Sequence, residues 1–313
     1  MTLLFGALSG ALSGALSGAL SPTVQIAPGV HMPRLNLGTC CGSDPAVGIP
    51  TWFAAVGSGV SGVDTAFDYG DQPKIGQLLA ASGKDRSEYF ITTKVPAGVG
   101  VNEGNASDCR VDPSVALRYV QQDLAQLGLD HVDLVLLHGP CRFGTPEQVP
   151  DPTAADNALW SGLQTAMAQG LTRAIGVSNY NSTEIAALSG AVPSVNQCQM
   201  SVGTARTTLP MPRVAHDDAT LAYCKAHNVT YEAWRVLGGC PTDDPAVKAA
   251  AAAHAVSAAQ VCVRWVLQRG AVIASGTGAD AALAAQFAKE DLGTLDAFSL
   301  TDAEMDALSK VSP

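Results

Sequence analysis

Charge is scarce in this chain, and positive charge is scarcest. Of 313 residues, 18 are Lys or Arg against 28 Asp or Glu, charged residues make up 15%, and the formal net charge is −10. That balance excludes a nucleic-acid surface, where Lys and Arg cluster opposite phosphates. It describes a solvated acidic exterior. No Lys or Arg precedes Arg34. A secretory signal carries a basic n-region and a transit peptide carries arginines, so the start of the chain reads as neither. No stretch after the first twenty-odd residues is long and apolar enough to span a bilayer, and no membrane partner is expected. The eight cysteines (Cys40, Cys41, Cys109, Cys141, Cys198, Cys224, Cys240 and Cys262) include no C-x-x-C pair and no His at zinc-like spacing. No metal site is expected, and the cysteines read as small core or surface thiols in a reducing compartment.

The first residues are of a different kind from the rest. Gly6-Ala7-Leu8-Ser9 recurs from positions 10, 14 and 18 and ends at Ser21 before Pro22. Residues 1–22 therefore read as a low-complexity, disordered or weakly helical leader, and residues 23–313 as the folded domain. The location expected is cytoplasmic, with organelle targeting by the leader left open. From Val24 to Met32, the Pro28-Gly29 pair punctuates two short strands as a hairpin. Strand-like runs then fall at 35–38, 61–65, 88–95, 131–138, 172–178, 194–199, 229–234 and 271–275. They alternate with helix-like segments near 49–59, 73–83, 113–127, 155–169, 182–190, 216–227, 243–268 and 280–290. Eight βα units predict an α/β fold, the parallel (β/α)8 TIM barrel, preceded by an N-terminal β-hairpin. A doubly wound open sheet would place G-x-G-x-x-G after its first strand, and Gly38-Thr39-Cys40-Cys41-Gly42 does not supply it.

In such a barrel all strand ends open at one mouth, where catalytic groups gather. Asp64, Lys94 and His138 close three of these runs, and Tyr69 lies in the loop after the second. A phenol titrates near ~10 and is a reluctant acid. An adjacent ammonium such as Lys94 lowers that value, and a buried ammonium needs a counter-charge, which Asp64 can provide. His138 can donate a hydrogen bond that orients and polarises a carbonyl oxygen. Singly, each residue has an ordinary alternative: an N-cap for Asp64, a turn residue for Tyr69, a snorkelling strand end for Lys94, a core imidazole for His138. Jointly, the four read as a general acid aimed at a substrate C=O.

The motifs around these residues resemble the aldo-keto reductase family. Asp64-Thr65-Ala66-Phe67-Asp68-Tyr69-Gly70 matches its Asp-Thr-Ala-x-x-Tyr-Gly signature. Ile91-Thr92-Thr93-Lys94, Leu136-Leu137-His138-Gly139-Pro140, Arg173 through Tyr180 and Val195-Asn196-Gln197 follow in the family's order. The resemblance implies a carbonyl reductase that takes hydride from a nicotinamide cofactor. It assigns proton donation to Tyr69, tuning of that proton to Lys94 and Asp64, and carbonyl positioning to His138. It also implies that Ser178, Asn179 and Gln197 hold the nicotinamide carboxamide, that Trp234 stacks on the ring, and that Gly38, Thr39 and Leu237 belong to the cofactor wall. Arg235 is a candidate for the pyrophosphate. After the eighth strand the chain departs from the family. No Lys or Arg occurs between Arg269 and Lys289, where NADPH-preferring members carry a basic pocket. Ser275 and Thr277 remain as phosphate contacts and Asp280 as a partner for a ribose hydroxyl. NADPH is the cofactor expected, with NADH as the alternative.

The substrate implied is a small aldehyde or ketone, taken by a monomer. Pocket walls are expected from Thr39 to Ala46, Phe67, the loop Gly139–Asp156 as a lid, and the C-terminal tail. The chain stops soon after the helix Thr301–Val311, so an open, permissive pocket is expected. A cofactor-binding sensor of the same fold with negligible turnover is the alternative function.

Overall fold

The computed structural model describes residues 20–98, 108–143, 147–204, 215–276 and 278–311. The expected leader, residues 1–22, lies almost wholly outside them. Strands Thr23–Ala27 (β1) and Val30–Pro33 (β2) pair antiparallel. They turn through Gly29 at φ 72°, a left-handed conformation that costs glycine no Cβ clash.

Eight parallel strands then close on themselves: Leu35–Gly38 (β3), Ser61–Asp64 (β4), Tyr89–Val95 (β5), Val132–Leu137 (β6), Thr172–Ser178 (β7), Val195–Gln199 (β8), Thr230–Trp234 (β9) and Val272–Ser275 (β10). β10 pairs with both β9 and β3, which completes the barrel. β5 and β6 are buried at every residue, as strands covered on both faces must be. The hairpin plugs the end where the strands begin. Its Ile26, Val30 and Met32 share a buried cluster with Phe90, Leu134, Ala174 and Val272.

The described helices are Pro45–Val56 (α1), Gln72–Ala81 (α2), Ser114–Leu127 (α3), Pro152–Ala168 (α4), Ser182–Ala187 (α5), Asp218–Ala226 (α6), Pro245–His254 (α7), Ala258–Gln268 (α8), Ala281–Ala297 (α9) and Asp302–Leu308 (α10). The single helix expected over 243–268 is two. Ala255 turns left-handed at φ 53°, and Ser257 restarts the chain in a capping box with Gln260. α4 begins earlier than expected, because Asp151 accepts from Ala154 N and Pro152 sits in the first turn.

The cysteine reading is corrected. Six of the eight are paired, as Cys40–Cys41, Cys109–Cys141 and Cys240–Cys262, and only Cys198 and Cys224 are free, both buried. Disulfides persist where thiols are not kept reduced, so the cysteines give no support to a reducing compartment. Sequence spacing hid the Cys109–Cys141 and Cys240–Cys262 pairs because residues 32 and 22 apart are brought together only by the fold.

Candidate active site

β4 and β5 are neighbours, so Asp64 at the end of one lies beside Lys94 near the end of the other. The Lys94 ammonium is fully buried. It donates to Asp64 Oδ1 at 2.7 Å, to Thr65 O at 3.0 Å and to the Tyr69 hydroxyl at 3.4 Å. Burial works against that charge, but Asp64 and then Tyr69 outweigh it and hold Lys94 above its ordinary value. Tyr69 ends a short 3-10 turn, Phe67–Tyr69, that carries it back over the strand ends. The expected lowering of its pKa does not prevail. Burial of the phenol raises it, and the Lys94 ammonium offsets that only in part.

His138, just beyond β6, sets its ring edge-on to Tyr69 with centroids 5.6 Å apart. Its Nδ1 lies 2.9 Å from Asp68 Oδ2. Burial lowers the imidazole pKa, and the hydrogen bond to Asp68 opposes the shift. The tetrad expected from the strand ends is therefore assembled, with Asp68 as a fifth member that strand-end reasoning missed. Its signal was adjacency, since it stands next to Tyr69 on the same turn.

A cavity of about 520 Å3 opens over this group, lined by Asp64, Asp68, Tyr69 and His138. Lys94 is behind that wall. Ser178, Asn179, Gln197 and Trp234 continue the lining and are bonded to one another. Ser178 Oγ donates to Gln197 O at 2.8 Å, Asn179 Nδ2 to Ser178 Oγ at 3.0 Å, and Trp234 Nε1 to Asn179 Oδ1 at 3.1 Å. Three residues without the freedom of glycine hold positive φ on this lining: Cys41 at 63°, Asn179 at 65° and Arg235 at 58°. Such conformations are uphill for L-residues and concentrate at functional sites.

The remaining cofactor candidates divide. Gly38, Arg235, Leu237 and Ser275 line the cavity. Thr39 is buried but does not line it. Thr277 lies outside the described residues. Asp280 is not brought to the cavity: it accepts from Leu283 N at 2.9 Å as the N-cap of α9. Among the described residues, Phe67, the segment after His138 and the C-terminal tail do not line the cavity either. Phe67 packs edge-on against Tyr119, 4.8 Å between centroids, and Cys141 is tied to Cys109. Of the wall expected from Thr39 to Ala46, Cys40 through Ser43 line the cavity; what the sequence did not announce is that Cys40 and Cys41 are joined there. Glu232 was also missed. It is a fully buried acid inside the β9 run, and an acid amid strand residues was the available signal.

The family model described as Aldo/keto reductase family matches residues 43–312. The chain is 31% identical to morphine 6-dehydrogenase of Pseudomonas putida over 309 residues, 93% of this chain and 91% of that one. It is 34% identical to an aldo-keto reductase of Mycolicibacterium vanbaalenii over 291 residues, 92% and 91% of the two chains. Among solved structures, the Bombyx mori aldo-keto reductase in complex with NADP superposes with TM-score 0.72 at 27% identity, covering 93% of each chain.

Proposed function

The chain belongs to the aldo-keto reductase family, and from that premise we propose that it reduces small aldehydes or ketones to alcohols as a monomer, with Tyr69 as proton donor and NADPH as hydride source. The observation that carries the proposal is the chain of contacts from Asp64 through Lys94 to the Tyr69 hydroxyl, ending in the cavity beside His138. A bound reduced nicotinamide supplies hydride to the carbonyl carbon. The residues present suit that group: a hydroxyl and two amides (Ser178, Asn179, Gln197) for its carboxamide, the half-buried indole of Trp234 for a flat ring, and the exposed Arg235 for a phosphate.

Tyr69 remains protonated at neutral pH and can lend a hydrogen bond to the carbonyl oxygen, then its proton as charge develops there. Lys94 stabilises the phenolate left behind, and Asp64 keeps the ammonium charged. His138, steadied by Asp68, marks the second side from which the oxygen is held. For the monomer, the support is that the barrel has no open strand edge. Among the described residues, the exposed large hydrophobics Val60, Val111, Met167, Val192 and Leu283 stand in five separate segments.

The test is loss of nicotinamide absorbance with a simple aromatic aldehyde. Wild type is expected to consume NADPH or NADH, and consumption of neither overturns the enzyme reading in favour of a binding protein. Tyr69→Phe should bind cofactor as before and lose about 10²- to 10⁴-fold in rate. Near-wild-type reduction by that variant would remove Tyr69 from its role.

A further inference from the structure

Gln197 cannot turn freely toward a ligand, because two carboxyl groups hold it from behind. Its Nε2 donates to Asp64 Oδ2 at 2.8 Å and to Glu232 Oε2 at 2.8 Å. A primary amide nitrogen has two hydrogens, and both are committed in this way. The other oxygen of each carboxyl is also engaged. Asp64 Oδ1 takes the Lys94 ammonium, and Glu232 Oε1 accepts from Asn36 Nδ2 at 3.2 Å. Asn36 has room for this because the facing position on β4 is Gly62, where an added Cβ would stand 1.9 Å from Asn36 Oδ1. Gln197 nevertheless lines the cavity. With its nitrogen turned into the barrel, the amide has one polar atom left over, the carbonyl oxygen Oε1.

We propose that Glu232 is a positioning residue for the reaction: with Asp64 it locks the Gln197 amide so that an acceptor, and not a donor, meets the nicotinamide carboxamide. The inference rests on the nicotinamide reading above. Glu232 touches neither cofactor nor substrate and acts only through Gln197. If Glu232 cannot accept, one Gln197 hydrogen loses its buried partner, which favours turning the amide over. A carboxamide N–H would then meet N–H, and the ring could settle with either face toward the substrate.

Two predictions separate this role from a merely structural one. In wild type, a cofactor analogue carrying acetyl in place of the carboxamide has no N–H to offer Oε1. It should bind about tenfold more weakly than the natural dinucleotide, the worth of one such hydrogen bond. In Glu232→Leu, the natural cofactor should weaken by the same factor and the preference over the acetyl analogue should vanish. Deuterium placed on one face of the reduced ring should then be transferred with mixed stereochemistry. Glu232→Gln retains an acceptor and should restore most of what Glu232→Leu loses. Binding is read by quenching of tryptophan fluorescence, independent of turnover. Equal wild-type affinity for the natural and acetyl cofactors overturns the inference, and it does so even if Glu232→Leu fails to fold. A folded Glu232→Leu that keeps the preference and a single transfer face overturns it as well. If wild type binds no nicotinamide dinucleotide at all, it is the functional reading that fails.

Discussion

His138 shows how one neighbour sets the chemistry of a side chain at the candidate site. Its Nδ1 faces the Asp68 carboxylate, which can only accept, so the ring proton belongs on Nδ1. Nε2 then carries a hydrogen only when the ring is doubly protonated. Burial, eased by Asp68, disfavours that state, and the other charges facing the ring are Lys94, which disfavours it, and Asp64, which favours it. If His138 donates to the carbonyl, reduction must strengthen as pH falls through and below the ordinary imidazole value of ~6.5. Asp68→Asn changes the rule, because an amide can donate to Nδ1 and leave the hydrogen on Nε2 of a neutral ring. The variant should lose the acid-side rise in kcat/KM between pH 5 and 8, and superimposable profiles would show that Asp68 does not govern the ring. Asp64, Tyr69, Lys94 and His138 were legible in the sequence because each breaks an apolar run or follows its end. Asp68 and Glu232 acquire their partners from other strands, and chain order does not state those distances.

At the level of elements, the strands were easier to read than the connections. Each barrel strand announced itself as a short run bounded by helix-like or turn sequence, with β6 the most continuously apolar at its end and β8 and β9 carrying polar residues within the run. The break between α7 and α8 rests on one left-handed alanine and one capping serine, weak local signals inside a stretch of alanines. The cofactor candidates sit on two connections of unequal charge. The one after β9 places Arg235 at the cavity, whereas the one after β10 has no Lys or Arg before Lys289. A guanidinium on the pyrophosphate serves both dinucleotides, so Arg235→Gln should weaken NADPH and NADH alike, by ten- to a hundredfold, as expected for a hydrogen bond to a charged group. Wild type should favour NADPH over NADH by less than about a hundredfold for want of a second cation. Titration of both cofactors against both proteins decides the matter. A loss confined to NADPH would place Arg235 at the 2′-phosphate instead.

Across the whole molecule, the interior stores protons. Burial is the first cause in each of three carboxyl groups: it pushes Asp123 up to about 8, Asp156 to about 7 and Glu232 to about 8. Asp123 lies among Gln72 and Thr93, Asp156 takes the Tyr180 hydroxyl and Cys141 N, and Glu232 faces Asp64 across Gln197. None of this was visible in the composition, which reported an excess of acid without saying which acids the barrel would enclose. The consequence for stability follows from linkage. Unfolded, these carboxyls titrate near ~4 and hold no proton at neutral pH, whereas folded they hold theirs up to 7 or 8. Between those limits the native state binds more protons than the unfolded one, so stability declines as pH rises. His138 and His216, whose values burial lowers, act in the opposite sense, but only below ~6.5. Above that pH the carboxyl effect stands alone. The thermal midpoint should therefore fall between pH 6.5 and 8.5, by on the order of 5 °C. A midpoint that is level or rising over that interval, measured by calorimetry without cofactor, would mean these carboxyls are ionised in the native barrel.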